Sequence, residues 1–288
     1  MNSRLKDLGG GVVVFEDVID VPVGEIVQII DRLAVESIKE QYEYVLGEDG
    51  EPIHAVNRSG FIFELESIAK TPIRIQNLNH PFFWKCEEAV YKCLLQYIEL
   101  FPVTLQCLWW RTEGHALKYP TGAKLGLHCD NDVNYRYGQF PPVENATRAV
   151  ITVLVYLNDN CEDGDCGEMS FSGGEMVIPH AGVTIKPKAG SIVFMPSNYL
   201  GAHEILEVTS GCRYTYLCLF SQGSAQEDKG ITPMDPDLYT YTDRPVGGQW
   251  WMKNIVGDYD KYLMDKYSDE GKIPNEVMPF KSRKNDHK

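Results

Sequence analysis

Apolar and polar residues follow two different rhythms along this chain, one before and one after about residue 102. In the first part, VGEIVQIIDRLAVESIKEQYEYV (23–45) places Ile26, Ile29, Ile30 and Leu33 at helical spacing, which predicts an amphipathic helix. GVVVFEDVI (11–19) predicts a strand before this helix, and EDGEP (48–52) predicts a turn after it. The N-terminal part is therefore expected to contain a strand followed by helices.

A second amphipathic helix is predicted over PFFWKCEEAVYKCLLQYIELF, residues 81–101. Its apolar stripe combines aromatic and cysteine side chains: Phe82, Cys86, Val90, Cys93, Leu94 and Tyr97. Such a stripe is more typical of a helix packed on a core than of a cofactor site.

From about residue 103 the chain consists of short β-rich runs separated by glycine and proline. These runs are TLQCLWW, AKLGLHCD, RAVITVLVYLN, EMSF, EMVI, VTIKP, SIVFMP, EILEV and RYTYLCLF. Short strands at this spacing predict a β-sandwich or a barrel rather than alternating βαβ units. The SGGEM segment (172–176) predicts a Gly-Gly hairpin turn between two of the strands.

The chain divides into one predicted domain and an extension. The domain covers residues 1–222, with a strand and helices over 11–101 and the β core over 103–222. The extension, 223–288, is polar at first, contains a predicted helix in DYDKYLMDKY (258–267), and ends in the basic segment KSRKNDHK. Its Trp250 and Trp251 could cover a cleft, form a dimer contact or pack on the back of the domain.

The chain is acidic, with a net charge of −14 over 288 residues and a pI of about 4.9. This charge argues against nucleic acid or anionic lipid as a partner. No apolar run has the roughly 20 residues of a membrane span, and the start MNSRLKDLGG does not resemble a secretion signal. We therefore expect a cytoplasmic protein, either monomeric or homodimeric.

Two of the eight cysteines, Cys161 and Cys166, lie in the loop NDNCEDGDCGE. They could form a disulfide or bind a metal. A reduced, solvated turn is the expectation, because a zinc site needs four such ligands and disulfides are rare in cytosolic proteins.

One histidine and one carboxylate, His128 and Asp130, stand two residues apart in LGLHCDNDV. On an extended strand they would point the same way and could reach one ion; without further partners they would be a surface polar pair. A third ligand is available in His203, at the start of a predicted strand, or in His180, in the IPHAG loop. Two histidines and a carboxylate leave open positions on a metal, which suits non-haem Fe(II).

Arg213 follows His203 by ten residues, after a Ser-Gly turn, at the head of RYTYLCLF. Alternation places Arg213, Thr215 and Leu217 on one face of that strand. An arginine that points into a barrel needs an anion, and guanidinium binds a carboxylate through two points. A dicarboxylate co-substrate would fit, although a salt bridge at the strand edge is the alternative.

An ordered set of motifs in this region resembles the prolyl 4-hydroxylase branch of the 2-oxoglutarate and Fe(II)-dependent dioxygenases. The motifs are KYPTG (118–122), LHCD (127–130), RAVITVLVYLN (148–158), GEMSF (167–171), IKPKAGSIVF (185–194) and VTSGCRYTY (208–216), with His203 before the last. With the opening strand, the resemblance covers most of residues 11–221. It implies an α+β fold: a double-stranded β-helix (jelly-roll, cupin-like) core with N-terminal flanking helices packed on one sheet.

The resemblance also implies roles for individual residues. His128, Asp130 and His203 would bind Fe(II), and Arg213 would pair with the distal carboxylate of 2-oxoglutarate. Tyr156 matches a tyrosine that supports this carboxylate, and Tyr119, nine residues before His128, matches one that lines the same pocket; either could instead serve only in packing. Thr215 could donate a hydroxyl to the same anion, and ascorbate is a candidate additional cofactor.

The reaction implied is hydroxylation of an unactivated C–H with O₂, releasing succinate and CO₂. The presence of Asp130 favours hydroxylation, since related halogenases lack this carboxylate. A prolyl residue in a peptide or protein is the favoured substrate, and a free amino acid or another small molecule is the alternative. The loop 131–145 could be a lid over the substrate or could pack on the barrel.

Two departures from the family pattern affect the substrate side. Leu219 stands where many members have tryptophan, and Cys166 replaces the first glycine of a double glycine. Two other classes of protein remain open: a non-catalytic β-barrel binding module, and a metal-dependent isomerase or lyase of barrel type. Arg213 and Thr215 argue against the latter, which needs no anchor for a dicarboxylate.

Overall fold

The structure is a computed structural model that describes residues 4–57, 60, 62–76, 78–108, 110–112, 114–131, 148–161, 169–222, 249–252 and 254–267. The loop 132–147, Cys166 and residues 223–248 lie outside this set, so the lid and the double-glycine departure stay predictions. Among the described residues, no helix has the length and apolar character needed to cross a membrane.

The N-terminal part is mixed helix and strand. Its elements are β1 (Arg4–Gly9), β2 (Val12–Glu16), α1 (Val23–Gln41), β3 (Tyr42–Leu46), β4 (Pro52–Asn57), β5 (Ile62–Phe63), α2 (Leu65–Ala69), β6 (Ile73–Ile75) and α3 (Pro81–Leu100). The predicted first helix ends at Gln41, so its extension to residue 45 was wrong. Tyr42–Leu46 instead pairs with β4 across the predicted turn, where the Gly47 amide donates to the Glu51 carbonyl oxygen.

The remaining described elements are mostly strands. They are β7 (Trp110–Thr112), β8 (His115–Tyr119), β9 (Leu125–His128), β10 (Arg148–Tyr156), β11 (Ser172–Gly173), β12 (Met176–Ile178), β13 (Val183–Ile185), β14 (Ile192–Pro196), β15 (His203–Ile205), β16 (Val208–Ser210), β17 (Arg213–Gln222), β18 (Gln249–Trp251) and α4 (Ile255–Tyr267). The strand expected over TLQCLWW was wrong for its first part, because 102–106 form a 3₁₀ helix.

Two sheets face each other across the core. The larger has the order β1-β2-β14-β10-β17-β7-β18, with β8 pairing the start of β17 and β6 pairing β8. The smaller has the order β13-β12-β15-β9. Antiparallel sheets of this kind form the double-stranded β-helix, and the predicted fold class is confirmed.

The Gly-Gly segment does not make the predicted hairpin. β11 pairs with β16, whereas β12 pairs with β13 and β15. Gly173 and Gly174 have positive φ values of 71° and 66°, and they carry the chain from one pair of strands to the smaller sheet. The prediction of a turn at the two glycines was correct, but the prediction that the strands on either side pair with each other was wrong.

Side-chain alternation divides the larger sheet into an outer and an inner face. On the outer face Val153, Val155 and Tyr216 pack against α1, α3 and α4. The second predicted helix provides its cysteine and aromatic stripe to this core, as expected. On the inner face Leu154, Tyr156 and Leu217 pack towards the smaller sheet. The flanking helices thus leave the inner face available for a site.

A buried ionic network joins α3 to the outer face. Glu87 forms an ion pair with Arg111, and the Tyr216 hydroxyl donates to the same carboxylate. Further along α3, Glu99 accepts hydrogen bonds from Tyr262 and Tyr267 of α4, the helix predicted in the extension. Both contacts hold helices against the sheet rather than forming part of the inner face.

The expectation of a reduced thiol at Cys161 was wrong, because Cys161 is disulfide-bonded. The other described cysteines are free: Cys86, Cys93, Cys107, Cys129, Cys212 and Cys218. The spacing of cysteines in the sequence left a disulfide open as an alternative, since bridge formation depends on how closely two sulfur atoms approach.

Candidate active site

Two histidines and an aspartate converge at one end of the inner face. The ligand atoms of His128, Asp130 and His203 lie within 4.8 Å of one another, and no fourth His, Cys, Asp or Glu in the described part of the chain joins them. β9 and β15 are paired so that His128 lies directly opposite His203. Strand register therefore brings together two residues that are 75 positions apart in sequence.

Both imidazole rings are oriented by backbone carbonyl groups. Nδ1 of His128 is 2.8 Å from the Gly126 carbonyl oxygen, and Nδ1 of His203 is 3.0 Å from that of Gly201. Because a carbonyl oxygen only accepts, each Nδ1 carries the proton, and the lone pair of each neutral ring is on Nε2. This is the second-sphere arrangement that fixes a histidine ligand.

Asp130 is held differently from the way alternation suggested. β9 ends at His128 and Asp130 lies in the following turn, so it does not share a strand face with His128. Instead its Oδ2 accepts a 2.6 Å hydrogen bond from the Thr152 hydroxyl, which also lies 2.9 Å from the Ser197 hydroxyl. The other oxygen, Oδ1, is 3.5 Å from His128 Nε2.

The protonation states of the three residues suit a cation. Burial favours a raised pKa for Asp130, but the contact with His128, the nearby His203 and the Thr152 hydroxyl outweigh it, so the pKa of Asp130 is lowered. Burial lowers the pKa of His203. A carboxylate and neutral imidazoles are the forms that bind a metal.

Arg213 lies deeper on the inner face, 1% exposed. Its guanidinium carbon is 4.8 Å from the Tyr119 ring centroid and 5.5 Å from that of Tyr156. Arg213 lies opposite Tyr119 in the pairing of β17 with β8, and Thr215 lies opposite Tyr156 in the pairing with β10. The structure thus gathers all four residues that the sequence suggested for the co-substrate.

Several buried polar atoms on this inner face have no hydrogen-bond partner among the described residues. They are Nε and Nη2 of Arg213 and the hydroxyl oxygens of Tyr156, Thr215 and Ser191. Burial, despite the Arg213 charge, raises the pKa of Tyr156, so its hydroxyl remains a donor. Unsatisfied buried donors around a buried cation are costly unless an anion binds them, and a carboxylate fits this set.

The structure also shows which of the two alternative histidines lies in the cluster, and it is His203. His180 lies in an exposed 3₁₀ turn beside Tyr199, outside the cluster. Sequence reasoning missed three polar residues: Thr152 and Ser197, which orient Asp130, and Ser191, which immediately precedes β14 and whose carbonyl oxygen accepts from the Tyr156 amide. Thr152 and Ser191 share the inner-face alternation of Tyr156 and Val193, a signal that could have found them.

Residues 114–221 match the family described as the 2OG-Fe(II) oxygenase superfamily. This segment belongs to that superfamily. Enzymes of the superfamily are dioxygenases that use Fe(II), 2-oxoglutarate and O₂, and the triad and the buried anion site fit the metal and the co-substrate. No curated protein sequence matches the chain.

Solved structures with similarity to this chain include three prolyl hydroxylases. A viral collagen prolyl hydroxylase from Paramecium bursaria Chlorella virus-1, with 2-oxoglutarate, is 16% identical, covers 74% of this chain and 96% of its own, and has a TM-score of 0.47. A prolyl hydroxylase from Trichoplax adhaerens, with a hypoxia-inducible factor peptide, is 16% identical, with 76% and 86% covered and a TM-score of 0.44. A Pseudomonas putida prolyl-4-hydroxylase is 18% identical, with 74% and 94% covered and a TM-score of 0.44.

Proposed function

We propose that this oxygenase binds Fe(II) through His128, Asp130 and His203 and hydroxylates a prolyl residue of a peptide or protein. The observation that carries the proposal is the combination on one inner face of a two-histidine, one-carboxylate cluster and a buried arginine surrounded by unsatisfied donors. A facial triad leaves positions for a chelating co-substrate and O₂. When bound, iron and 2-oxoglutarate supply the oxidising chemistry, with succinate and CO₂ as products.

The chain's own residues bind and orient the reactants. Arg213 binds the distal carboxylate with its guanidinium, while Tyr156, Thr215 and Ser191 donate hydroxyl hydrogen bonds to the same group. The two carbonyl-anchored imidazoles and the Thr152-anchored carboxylate hold the ligand atoms in place before any metal binds. The apolar inner face excludes water from the reaction.

The prolyl substrate is supported by the motif order in 118–216, which resembles the prolyl 4-hydroxylase branch. A screen of proline-containing peptides and free amino acids tests this part, with succinate release and a mass gain of one oxygen as paired readouts. Hydroxylation of free amino acids without any peptide product would overturn the peptide assignment.

The co-substrate assignment is tested without knowing the substrate. Anaerobic Fe(II) and 2-oxoglutarate should produce the weak visible charge-transfer band of a chelated co-substrate. Arg213→Gln should weaken 2-oxoglutarate binding about 100-fold, because truncating one partner of a buried charge pair costs roughly 2–5 kcal/mol. Arg32→Gln, an exposed arginine on α1, is the matched control. An unchanged dissociation constant in Arg213→Gln would show that the carboxylate binds elsewhere.

A further inference from the structure

One buried polar group on the inner face has no role in the site described above. His115, at the start of β8, is 8% exposed, and its Nδ1 has no hydrogen-bond partner among the described residues. It shares a strand face with Leu117 and Tyr119 and lies opposite Leu217 of β17. The imidazole therefore points to the same interior as the triad and Arg213.

His115 is too far along β8 to bind the distal carboxylate that is assigned to Arg213. Leu217, its partner, is two residues beyond Thr215 and four beyond Arg213, which corresponds to about 7 and 13 Å along a strand. It is also on the β8 side of β17, whereas Tyr156 and Ser191 are on the β10 and β14 side. The unsatisfied Nδ1 thus calls for a second bound group.

A cation stands beside His115 on the neighbouring strand. Arg74 of β6 lies opposite Leu117, between Ile73 and Ile75, which pack on the outer face. Alternation therefore turns Arg74 towards the inner face, where it reaches solvent. Burial, and after it the positive charge of Arg74, lowers the pKa of His115.

No carboxylate of the described residues forms an ion pair with Arg74, and partial burial alone lowers the pKa of its guanidinium. Glu36 and Glu40 of α1 line the same surface pocket as Arg74, yet among the described residues neither carboxylate forms an ion pair with it. A guanidinium next to a neutral imidazole offers two or three N–H donors to one anion.

We propose that Arg74 and His115 bind a carboxylate of the primary substrate, separate from the carboxylate that Arg213 holds. The inference rests on the proposed function and extends it to substrate class: the hydroxylated molecule is an acid. Its carboxylate comes either from an acidic side chain next to the target residue in a peptide or from the α-carboxylate of a free amino acid. Arg74 at the solvent margin meets this group first, and His115 binds it further in.

The experiment uses pairs of probes that differ only in one carboxylate. One arm compares N-acetyl-prolyl-glutamate amide with N-acetyl-prolyl-glutamine amide, and the other compares L-proline with L-prolinamide. Each probe is titrated into the protein loaded with Mn(II) and 2-oxoglutarate, and binding is measured from the Mn(II)-induced relaxation of the probe's protons by NMR. We expect the acid to bind at least tenfold more tightly than its amide in one arm, and that arm identifies the source of the carboxylate.

Arg74→Gln should reduce this acid-to-amide ratio to about one, whereas Arg32→Gln on the outer side should leave it unchanged. His115→Leu should lower the ratio, and His115→Gln, which keeps an N–H donor, should restore part of it. An equal ratio in Arg74→Gln and the unmodified protein, or the absence of any acid preference in both arms, would overturn the proposal.

The 2-oxoglutarate dissociation constant separates this inference from the proposed function. It is obtained by titrating the charge-transfer band, and we expect Arg74→Gln to match the unmodified protein. A tenfold weakening would place Arg74 in the co-substrate site and overturn the inference alone. If the band never forms in the unmodified protein, the proposed function itself fails.

Discussion

Individual hydrogen bonds decide how the three candidate ligands are presented. His128 and His203 each lie two residues after a glycine whose carbonyl oxygen accepts from Nδ1. Asp130 has no such local partner and depends on Thr152, 22 residues later in the chain. Its position is therefore a product of tertiary packing, and the Thr152 hydroxyl is the part of the site most easily tested alone.

Thr152→Val should weaken Mn(II) or Fe(II) binding about tenfold, because removing a second-sphere partner typically costs 10–100-fold in metal affinity. The change is nearly isosteric, but it removes the hydroxyl that orients Asp130. Metal affinity can be measured by calorimetry under anaerobic conditions. Thr152→Ser retains the hydroxyl and should bind metal nearly as well as the unmodified protein; equal weakening in both variants would contradict the role assigned to the hydrogen bond.

At the scale of elements, the outer face of the larger sheet is covered by helices that come from both ends of the described chain. α1 and α3 precede the core, and α4 follows it. α4 is attached to α3 through Glu99, which accepts hydrogen bonds from Tyr262 at 2.6 Å and Lys266 at 2.7 Å as well as from Tyr267. Burial tends to raise the pKa of Glu99, but these partners lower it overall.

Glu99→Gln should loosen α4 from α3. Hydrogen bonds to a charged group contribute roughly 1.5–3 kcal/mol, and the amide keeps some of them, so we expect backbone exchange in 255–267 to accelerate about tenfold. Hydrogen–deuterium exchange with mass spectrometry gives the measurement. Glu88→Gln is the control, since Glu88 forms an exposed pair with Lys92 on the same helix, and such pairs contribute little. Equal exchange in the two variants would show that Glu99 does not hold the helix.

Stability of the whole molecule should depend on pH through His115. Burial, followed by the charge of Arg74, lowers the pKa of His115 to about 3, and Asp130 opposes this only in part. An unfolded histidine binds a proton near pH 6.5. Between these values the unfolded chain holds more protons than the folded one, so falling pH favours unfolding.

His115→Gln should therefore reduce the slope of the unfolding free energy against pH, between pH 6 and 4, by about 1 kcal/mol per pH unit, which is the contribution of one proton. Urea unfolding at several pH values, followed by circular dichroism, measures the slope. Above pH 7 the slopes of the two proteins should coincide. Parallel slopes across the acidic range would show that His115 takes up a proton in the folded state.

The main features of the fold were predictable because they depend on local patterns. The helical spacing in 81–101 and the alternation in 148–156 and 213–222 reflect which side of an element is buried. This periodicity is visible in the order of apolar and polar residues along the chain. α1 ended earlier than predicted because Tyr42–Leu46 found strand partners in β4. The hairpin predicted at SGGEM was wrong for the same reason. The residues on either side of the turn do not indicate which strand each will pair with.

For this protein, the sequence by itself determined the α+β class, the inward face of β17 and the order of motifs that resemble a dioxygenase. Only the tertiary structure decided that His203 rather than His180 stands opposite His128, that Thr152 holds Asp130, and that Arg74 and His115 share a margin of the inner face. The physical reason is that alternation and helical spacing act between neighbours in sequence. Strand register and sheet pairing bring together groups tens of residues apart, and no local pattern encodes that choice.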